Sequence, residues 1–435
     1  MNRRKFIQQS SLAVGGLTVL NFPVFGKNAP SNKVVIAVMG LNGRGSYHVE
    51  QFSKMSGVEV AYICDVEDGA IKKGLNASKG ERKPTVEKDI RRLVAKKDFD
   101  ALIIAAPDHW HAPAALLGLA GGKHVYVEKP CSHNPYESEL LIEAQARYGK
   151  LITVGSQRRS FPTLIEAVKL VREGAIGNPY MGKSWYVNAR KSIGTGKKTP
   201  VPATLDFDLW QGPAPRKDFQ DNLIHYNWHW FWHWGTGESC NNGNHELDCC
   251  RWFMDAGFPT KVTSSGGRYA YSDDWETPDT QIASFEFADK KLITWEGRSC
   301  SSYPVDGNAR GFIIYGDKGT LVNYGGGDYR IYDNRQNLIK EITADAPDPN
   351  NPISASGSAD LYHLNNFIDS IRGDAKITAP IEEGHKSVLL CHLANISQIT
   401  GSTIHCDPKN GHIIGDKAAE NLWKRTYEKG WEMKL

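Results

Sequence analysis

The chain has 435 residues, 40% of them hydrophobic and 23% charged, with 42 glycines. At roughly 150 residues per domain this is about two or three domains, and the composition excludes collagen-like, coiled-coil and largely disordered architectures. A formal charge of +3, from 52 basic and 49 acidic residues, offers no excess to hold a phosphate backbone, so no nucleic-acid partner is expected.

The first thirty residues read as an address rather than a fold. Arg3, Arg4, Lys5 and Phe6 precede a mildly apolar run, Leu12 to Phe25, shorter than the about 20 residues a membrane span needs. A basic start, a short apolar stretch and small residues near Gly26 describe an export signal over residues 1–30. The run Arg3-Arg4-Lys5-Phe6-Ile7 looks like a twin-arginine signal, which implies a periplasmic protein exported already folded. No acid precedes Gly26, so Arg3, Arg4 and Lys5 carry the whole basic excess. The rest of the chain is close to neutral, which suits an uncharged small molecule better than a polyanion. No later segment reaches about 18 consecutive apolar residues, so no membrane span is expected.

From Lys33 the pattern alternates. Val34 to Val38, Val58 to Cys64, Ala101 to Ala106, His124 to Val127 and Leu151 to Val154 are short continuous apolar runs separated by helix-length stretches. That pattern predicts a parallel sheet covered on both faces, an α/β doubly wound domain over residues 33–155. The character shifts after Gly155, and a second domain is expected over 156–435. Leu164, Val168 and Val171 open it with one helix face. Gln281, Ala283, Phe285 and Phe287 then share one face of a period-2 strand. Leu292 to Trp295, Phe312 to Tyr315, Thr320 to Tyr324 and Tyr329 to Asp333 continue as antiparallel strands with glycine-rich turns. Two helices close the chain, one through Leu364, Phe367, Ile368 and Ile371 to Gly373, the other through Leu389, Leu393 and Ile396 to Gly401. Residues 344–358, rich in Pro, Asp, Asn and Ser, read as a surface loop.

The first turn carries the clearest chemistry. Gly40-Leu41-Asn42-Gly43-Arg44-Gly45 lies between a buried strand and a helix. Gly40 permits the tight turn, Gly45 lets the helix pack on the strand, and the helix N-terminus offers free N–H groups to a pyrophosphate. Asn42 replaces the middle glycine, and asparagine also tolerates positive φ. Asp65 follows the second strand, where a carboxylate accepts ribose hydroxyls and repels a 2′-phosphate, so NAD is favoured over NADP.

Ligands of an open parallel sheet sit at the carboxyl ends of its strands. Pro107-Asp108-His109-Trp110-His111, Glu128-Lys129-Pro130 and Gly155-Ser156-Gln157-Arg158 all fall there. Asp108 and His109, taken alone, read as ordinary loop polarity. Pro107, His111, Glu128, Lys129 and Gln157 are candidate contacts for the nicotinamide half.

These pieces resemble the Gfo/Idh/MocA oxidoreductase family, over everything from Lys33 onward. The matching residues are Gly40 to Gly45, Asp65, Glu128-Lys129-Pro130, and the run from Gly235-Thr236-Gly237 to Asn241 and His245. The resemblance implies an N-terminal Rossmann domain and a C-terminal α/β domain with an open, mostly antiparallel sheet. It also implies association as a homodimer or homotetramer through that sheet, and a carbohydrate or cyclitol substrate. Lys129 corresponds to the family lysine that touches both the nicotinamide ribose and the reacting hydroxyl. The family pattern D-x-x-x-H keeps its histidine as His245 and has Asn241 in place of the aspartate. His245 would take the hydroxyl proton while Lys129 stabilises the developing alkoxide. Asn241 can orient an imidazole but cannot balance its charge; either Glu238 or Glu246 compensates, or the proton chemistry differs from the family norm.

Trp228, Trp230, Trp232 and Trp234 alternate with His229, Phe231 and His233. Such a run serves equally as a sugar-stacking platform or as buried core, with one or two rings, Trp232 among them, facing substrate. His229, His233, Glu238, Cys240 and His245 match no recognised metal-ligand spacing, so no metal is expected. Arg158, Arg190 and Lys191 are candidate substrate contacts or solvated surface. Cys249 and Cys250 are adjacent on a predicted helix, and Cys64 and Cys391 sit in apolar runs, so no essential disulfide is expected. Three functions remain open: net oxidation of a sugar hydroxyl, a redox-neutral glycosidase, lyase or epimerase on tightly bound NAD, and a non-catalytic sugar-binding protein.

Overall fold

The computed structural model describes residues 33–343, 357–433 and 435. The expected export signal over 1–30 and most of the loop expected over 344–358 lie outside the described residues.

The first domain is built from β1 (Val34–Met39), α1 (Arg44–Ser53), β2 (Val58–Cys64), α2 (Asp68–Ala77), β3 (Thr85–Glu87), α3 (Ile90–Ala95), β4 (Ala101–Ile104), α4 (Asp108–Ala120), β5 (His124–Val127), α5 (Pro135–Tyr148) and β6 (Ile152–Val154). All strand pairs are parallel, in the order β3-β2-β1-β4-β5-β6. The order reverses between β1 and β4, which opens a crevice at the carboxyl ends of the strands. The apolar runs make these strands because both faces are covered: every residue of β4 is buried. Local signals set the helix ends. Asn134 accepts from the Glu137 N–H at the start of α5, and Gly149, at φ +60°, ends it. The three-residue β3, with two exposed side chains, is too short and polar to leave a hydrophobic signature.

The second part contains α6 (Pro162–Arg172), β7 (Pro179–Val187), α7 (Phe207–Gln211), α8 (Asn244–Met254), β8 (Lys261–Gly267), β9 (Thr280–Glu286), β10 (Leu292–Arg298), β11 (Arg310–Gly316), β12 (Gly319–Asn323), β13 (Tyr329–Asp333), β14 (Leu338–Ile342), α9 (Gly357–Arg372), α10 (Ile381–Thr400) and β15 (Ile404–His405). Nine strands form one sheet, β14-β13-β12-β11-β7-β10-β9-β8-β15, antiparallel except between β7 and β10. Gln281, Ala283, Phe285 and Phe287 are all buried on the expected face, against helices including α8 and α10. The sequence pattern gave no strand at β7, the centre of the sheet. Its alternation is broken at Gly182, where a Cβ would lie 3.0 Å from Met254 Sδ and 3.1 Å from Cys250 Cβ. A glycine is what lets α8 cross so close.

The late helix α9 does not stay with the second sheet. Leu364, Phe367 and Ile368 pack on Ile36, Val38 and Tyr126 of the parallel sheet. All eight cysteines are free, seven of them buried. Among the described residues no helix is long and apolar enough to cross a membrane.

Candidate active site

Between β1 and α1 the chain turns through Gly40 at φ +82°, where a Cβ would lie 2.5 Å from the Ala106 nitrogen. A Cβ on Gly45 would lie 1.6 Å from the Gly40 carbonyl oxygen, so α1 meets the turn at a distance only glycine allows. Asn42 has no positive φ, contrary to the expectation for it; the left-handed conformation falls on Gly40, and Asn42 Oδ1 accepts from Lys73 Nζ at 2.5 Å. Gly43 has open space where a Cβ would stand, directly before the first turn of α1, whose N–H groups lack partners within the helix. Asp65 closes the other side of the turn. Its Oδ2 accepts from the Leu41 N–H at 2.6 Å and its Oδ1 from the Val66 N–H at 2.8 Å. Burial pushes this carboxyl up, and the backbone hydrogen bonds oppose that.

These residues line a cleft that runs on to Lys129, Tyr226, Trp228, His229 and Asn241. A dinucleotide fits here: room beside Gly43, a helix N-terminus and a carboxylate for the ribose at one end, and Gln157 Oε1, buried with no partner, for the nicotinamide half.

Lys129 follows β5. Its Nζ donates to the Asn241 carbonyl at 2.6 Å and lies 3.3 Å from Asn241 Oδ1. That carbonyl belongs to a π-helical turn, Ser239–Gly243, which leads into α8; such turns are frequent at functional sites. Burial pulls the Lys129 ammonium down from its ordinary value, while Glu128 and Asp108 oppose it. Burial pushes the Glu128 carboxyl up, but Arg44 and His48, each at 2.8 Å, more than reverse this and hold it well below the usual range. Asp108 goes the other way. Burial pushes it up to about 6, against the charge of His111 and the hydrogen bond that Thr236 Oγ1 donates at 2.5 Å.

Two family profiles match the chain. The oxidoreductase family's NAD-binding Rossmann fold covers residues 34–156. Its C-terminal alpha/beta domain covers residues 190–405. The chain belongs to the Gfo/Idh/MocA oxidoreductase family. A glycosyl hydrolase family 109 protein of Shewanella baltica is 27% identical over 212 residues, 43% of this chain and 46% of that protein. The chain thus spans about half the length of the curated relatives it matches. Two solved structures share the fold. The WlbA dehydrogenase of Bordetella pertussis, in complex with NADH and UDP-GlcNAcA, is 19% identical at a TM-score of 0.64, over 86% of this chain and 99% of that one. A levoglucosan dehydrogenase, in complex with NADH and levoglucosan, is 17% identical at a TM-score of 0.67, with the same coverage.

In this Gfo/Idh/MocA chain the expected dinucleotide contacts Gly40, Asn42, Gly43, Arg44, Asp65, Pro107, His111, Glu128, Lys129 and Gln157 all line the cleft, and Gly45 lies behind Gly40. The Arg44 guanidinium is not free for a phosphate. Glu128 holds it at 2.8 Å and Asp360 of α9 at 2.7 Å.

The expected substrate contacts fall elsewhere. Arg158 is 5% exposed and forms a two-point ion pair with Glu246, 3.0 Å from Nη2 to Oε1. Arg190 is held by Glu238 at 2.8 Å and lies over the Trp230 ring. Lys191 is exposed. Trp232 donates its backbone N–H to Glu276 at 2.7 Å. None of these lines the cleft. Both arginines are captured by carboxylates; for Arg158, a buried guanidinium without a counter-ion would be too costly to keep.

His245 also lies outside the cleft lining, 4% exposed, with Nε2 buried and unpartnered. Burial, then the charges of Lys129, Arg310 and Arg158, keep it neutral. Asn241 does not orient it. The amide donates to Tyr226 Oη at 3.0 Å and Glu238 Oε1 at 3.2 Å, and its oxygen faces Lys129. Glu238 and Glu246 are engaged by arginines and give His245 no charge partner.

The tryptophan run divides. Trp228 lines the cleft. Trp230 stacks on Trp275 at 3.9 Å, and Trp234 meets Trp210 at 5.0 Å in an aromatic core with Phe207 and Phe219. Tyr226 was not singled out from sequence. It and His229 stand three residues apart at a 3₁₀ turn, Asn227–Trp230, where such residues eclipse. That spacing was the available signal. Among the described residues no group of three His, Cys, Asp or Glu side chains is placed to hold a metal.

Proposed function

We propose that the chain is an NAD-dependent enzyme that oxidises a secondary hydroxyl of a sugar, glycoside or cyclitol. The observation that carries this reading is Lys129, whose Nζ stands in one continuous cleft with the glycine turn. Bound NAD supplies the hydride acceptor. Asp65 and the first turn of α1 hold the adenosine and pyrophosphate end. Lys129, rigidly presented by the Asn241 carbonyl, donates to the reacting oxygen and stabilises it as its proton leaves. The neutral imidazoles around Lys129, His229 and His245, are the available proton acceptors. Trp228 offers a ring face to a sugar.

Replacing Lys129 by Met should abolish nicotinamide reduction by a sugar panel while the protein stays folded and still binds NAD. Reduction at the wild-type rate would refute the assignment.

A second reading has its own support, the half-length likeness to glycosyl hydrolase family 109. In it the same oxidation is transient and is reversed after bond cleavage beside the ketone. Product formation with no added NAD and no net NADH selects this reading; stoichiometric NADH selects the first. Export by the twin-arginine route belongs to the proposal, since dinucleotide is scarce outside the cytoplasm and would have to be loaded before export. Dinucleotide bound to the periplasmic protein is the expected finding.

A further inference from the structure

The cleft holds one histidine whose geometry suits it better than His245 to meet a substrate. His229 Nδ1 lies 2.8 Å from the Tyr226 carbonyl oxygen. A carbonyl can only accept, so in the neutral ring Nδ1 carries the hydrogen and Nε2 keeps its lone pair. His229 lines the cleft, and its Nε2 is not among the buried atoms without a partner, whereas His245 Nε2 is. The imidazole is clamped between rings: Trp228 stacks on it at 3.5 Å and 21°, and Tyr226 lies at 3.9 Å and 30°. The clamp ties back to the catalytic lysine. Tyr226 Oη accepts from Asn241 Nδ2, and the Asn241 carbonyl accepts from Lys129 Nζ.

We propose that His229, through Nε2, is the base that takes the proton from the substrate hydroxyl bound by Lys129. This rests on the oxidoreductase reading above. The O–H bond breaks and its proton goes to Nε2. The C–H bond breaks and its hydrogen leaves with the electron pair to NAD. The electrons of the O–H bond form the carbonyl, so a secondary alcohol becomes a ketone and NAD becomes NADH. Asn241 is then a positioning residue for Lys129 and Tyr226, which explains why no carboxylate is needed at that position. The charged or titratable groups that act on His229 are Lys129, Arg190 and His111. Burial first, and then these positive charges, hold its imidazole well below the ordinary value, neutral across physiological pH, while the Tyr226 carbonyl opposes them.

Two measurements test this. The first uses the wild-type chain without substrate: diethyl pyrocarbonate at pH 6, which acylates accessible neutral imidazole nitrogens, followed by peptide mass mapping. His229 should be modified faster than His245; a His229 that stays unmodified, or a His245 modified as fast or faster, overturns the proposal. The second follows nicotinamide reduction by levoglucosan, myo-inositol and a nitrophenyl α-N-acetylgalactosaminide. His229→Gln should lower the rate by about 100-fold or more with NAD affinity unchanged, and added imidazole should restore part of the rate in His229→Ala. His245→Gln should cost less than His229→Gln. Wild-type rates in His229→Gln, with reduction normal in the parent, overturn the His229 assignment alone. No reduction by the parent with any probe overturns the oxidoreductase reading and this assignment with it.

Discussion

Asp108 should make the protein less stable as pH rises from acid to neutral, and replacing it by Asn should remove that loss. The carboxyl is 3% exposed, and burial raises it from an ordinary value of 3.8 to about 6. An acid whose folded value lies above its unfolded value stabilises the fold only while it is protonated. The contribution is fully present below 3.8 and is lost as pH climbs through 6. At about 1.4 kcal/mol per tenfold change in proton affinity, the ionised group costs about 3 kcal/mol at pH 7 and about 0.5 kcal/mol at pH 4. Asp108→Asn keeps an oxygen for the Thr236 hydroxyl and cannot ionise. Urea unfolding at pH 4, 5.5 and 7 should show a gain that grows with pH, reaching at most about 3 kcal/mol. A gain equal at pH 4 and pH 7, or no gain at pH 7, would refute the reasoning. A buried carboxylate kept at such a cost in the middle of a cleft is the pattern of a site that trades stability for function.

Gly45→Ala forces a Cβ to within 1.6 Å of the Gly40 carbonyl oxygen, so the nucleotide turn must open. NAD affinity by calorimetry should fall at least about tenfold, about 1.4 kcal/mol. Glu246→Gln leaves the buried Arg158 and the half-buried Arg310 without the carboxylate that both now share; a stability loss of about 3–5 kcal/mol is expected, read as a lower melting temperature. Ile282, 59% exposed on the helix-free face of the nine-stranded sheet, should tolerate Lys in a monomer. If copies associate through that sheet, Ile282→Lys should shift the sedimentation of the protein toward the monomer, and an unchanged oligomer would place the contact elsewhere.

The parallel sheet was legible because its strands are buried on both faces and so read as unbroken apolar runs. The strands β9 to β13 were legible by period, since one face is packed and the other is not. What escaped the sequence were elements whose pattern is set by long-range contact. At β7 the apolar signal gives way to Gly182 beneath Met254, and β3 is too short to show one. The site divides in the same way. Residues bound to a strand end, such as Lys129 and Gln157, were placed by topology alone. Arg158 and Arg190 were misjudged because their carboxylate partners are 88 and 48 residues away in sequence. Nothing in a single chain announces such a pairing. His229 escaped for the opposite reason: its neighbours are adjacent, and a run so rich in rings hides which of them faces the cleft.

The helix α9 that returns to the first sheet sets an order on synthesis. Leu364, Phe367 and Ile368 complete the core beneath β1, and Asp360 completes the ion pairs of Arg44 in the nucleotide turn. Until α9 is made, the core that Val49, Phe52, Ala70 and Ile71 form on β1 lacks Leu364, Phe367 and Ile368, and Arg44 lacks Asp360. Domains ordinarily fold in the order in which they are made; the core of this one is completed by a helix from the second half of the chain. The first sheet and the ion pairs of its glycine turn are thus completed only once α9 has been made.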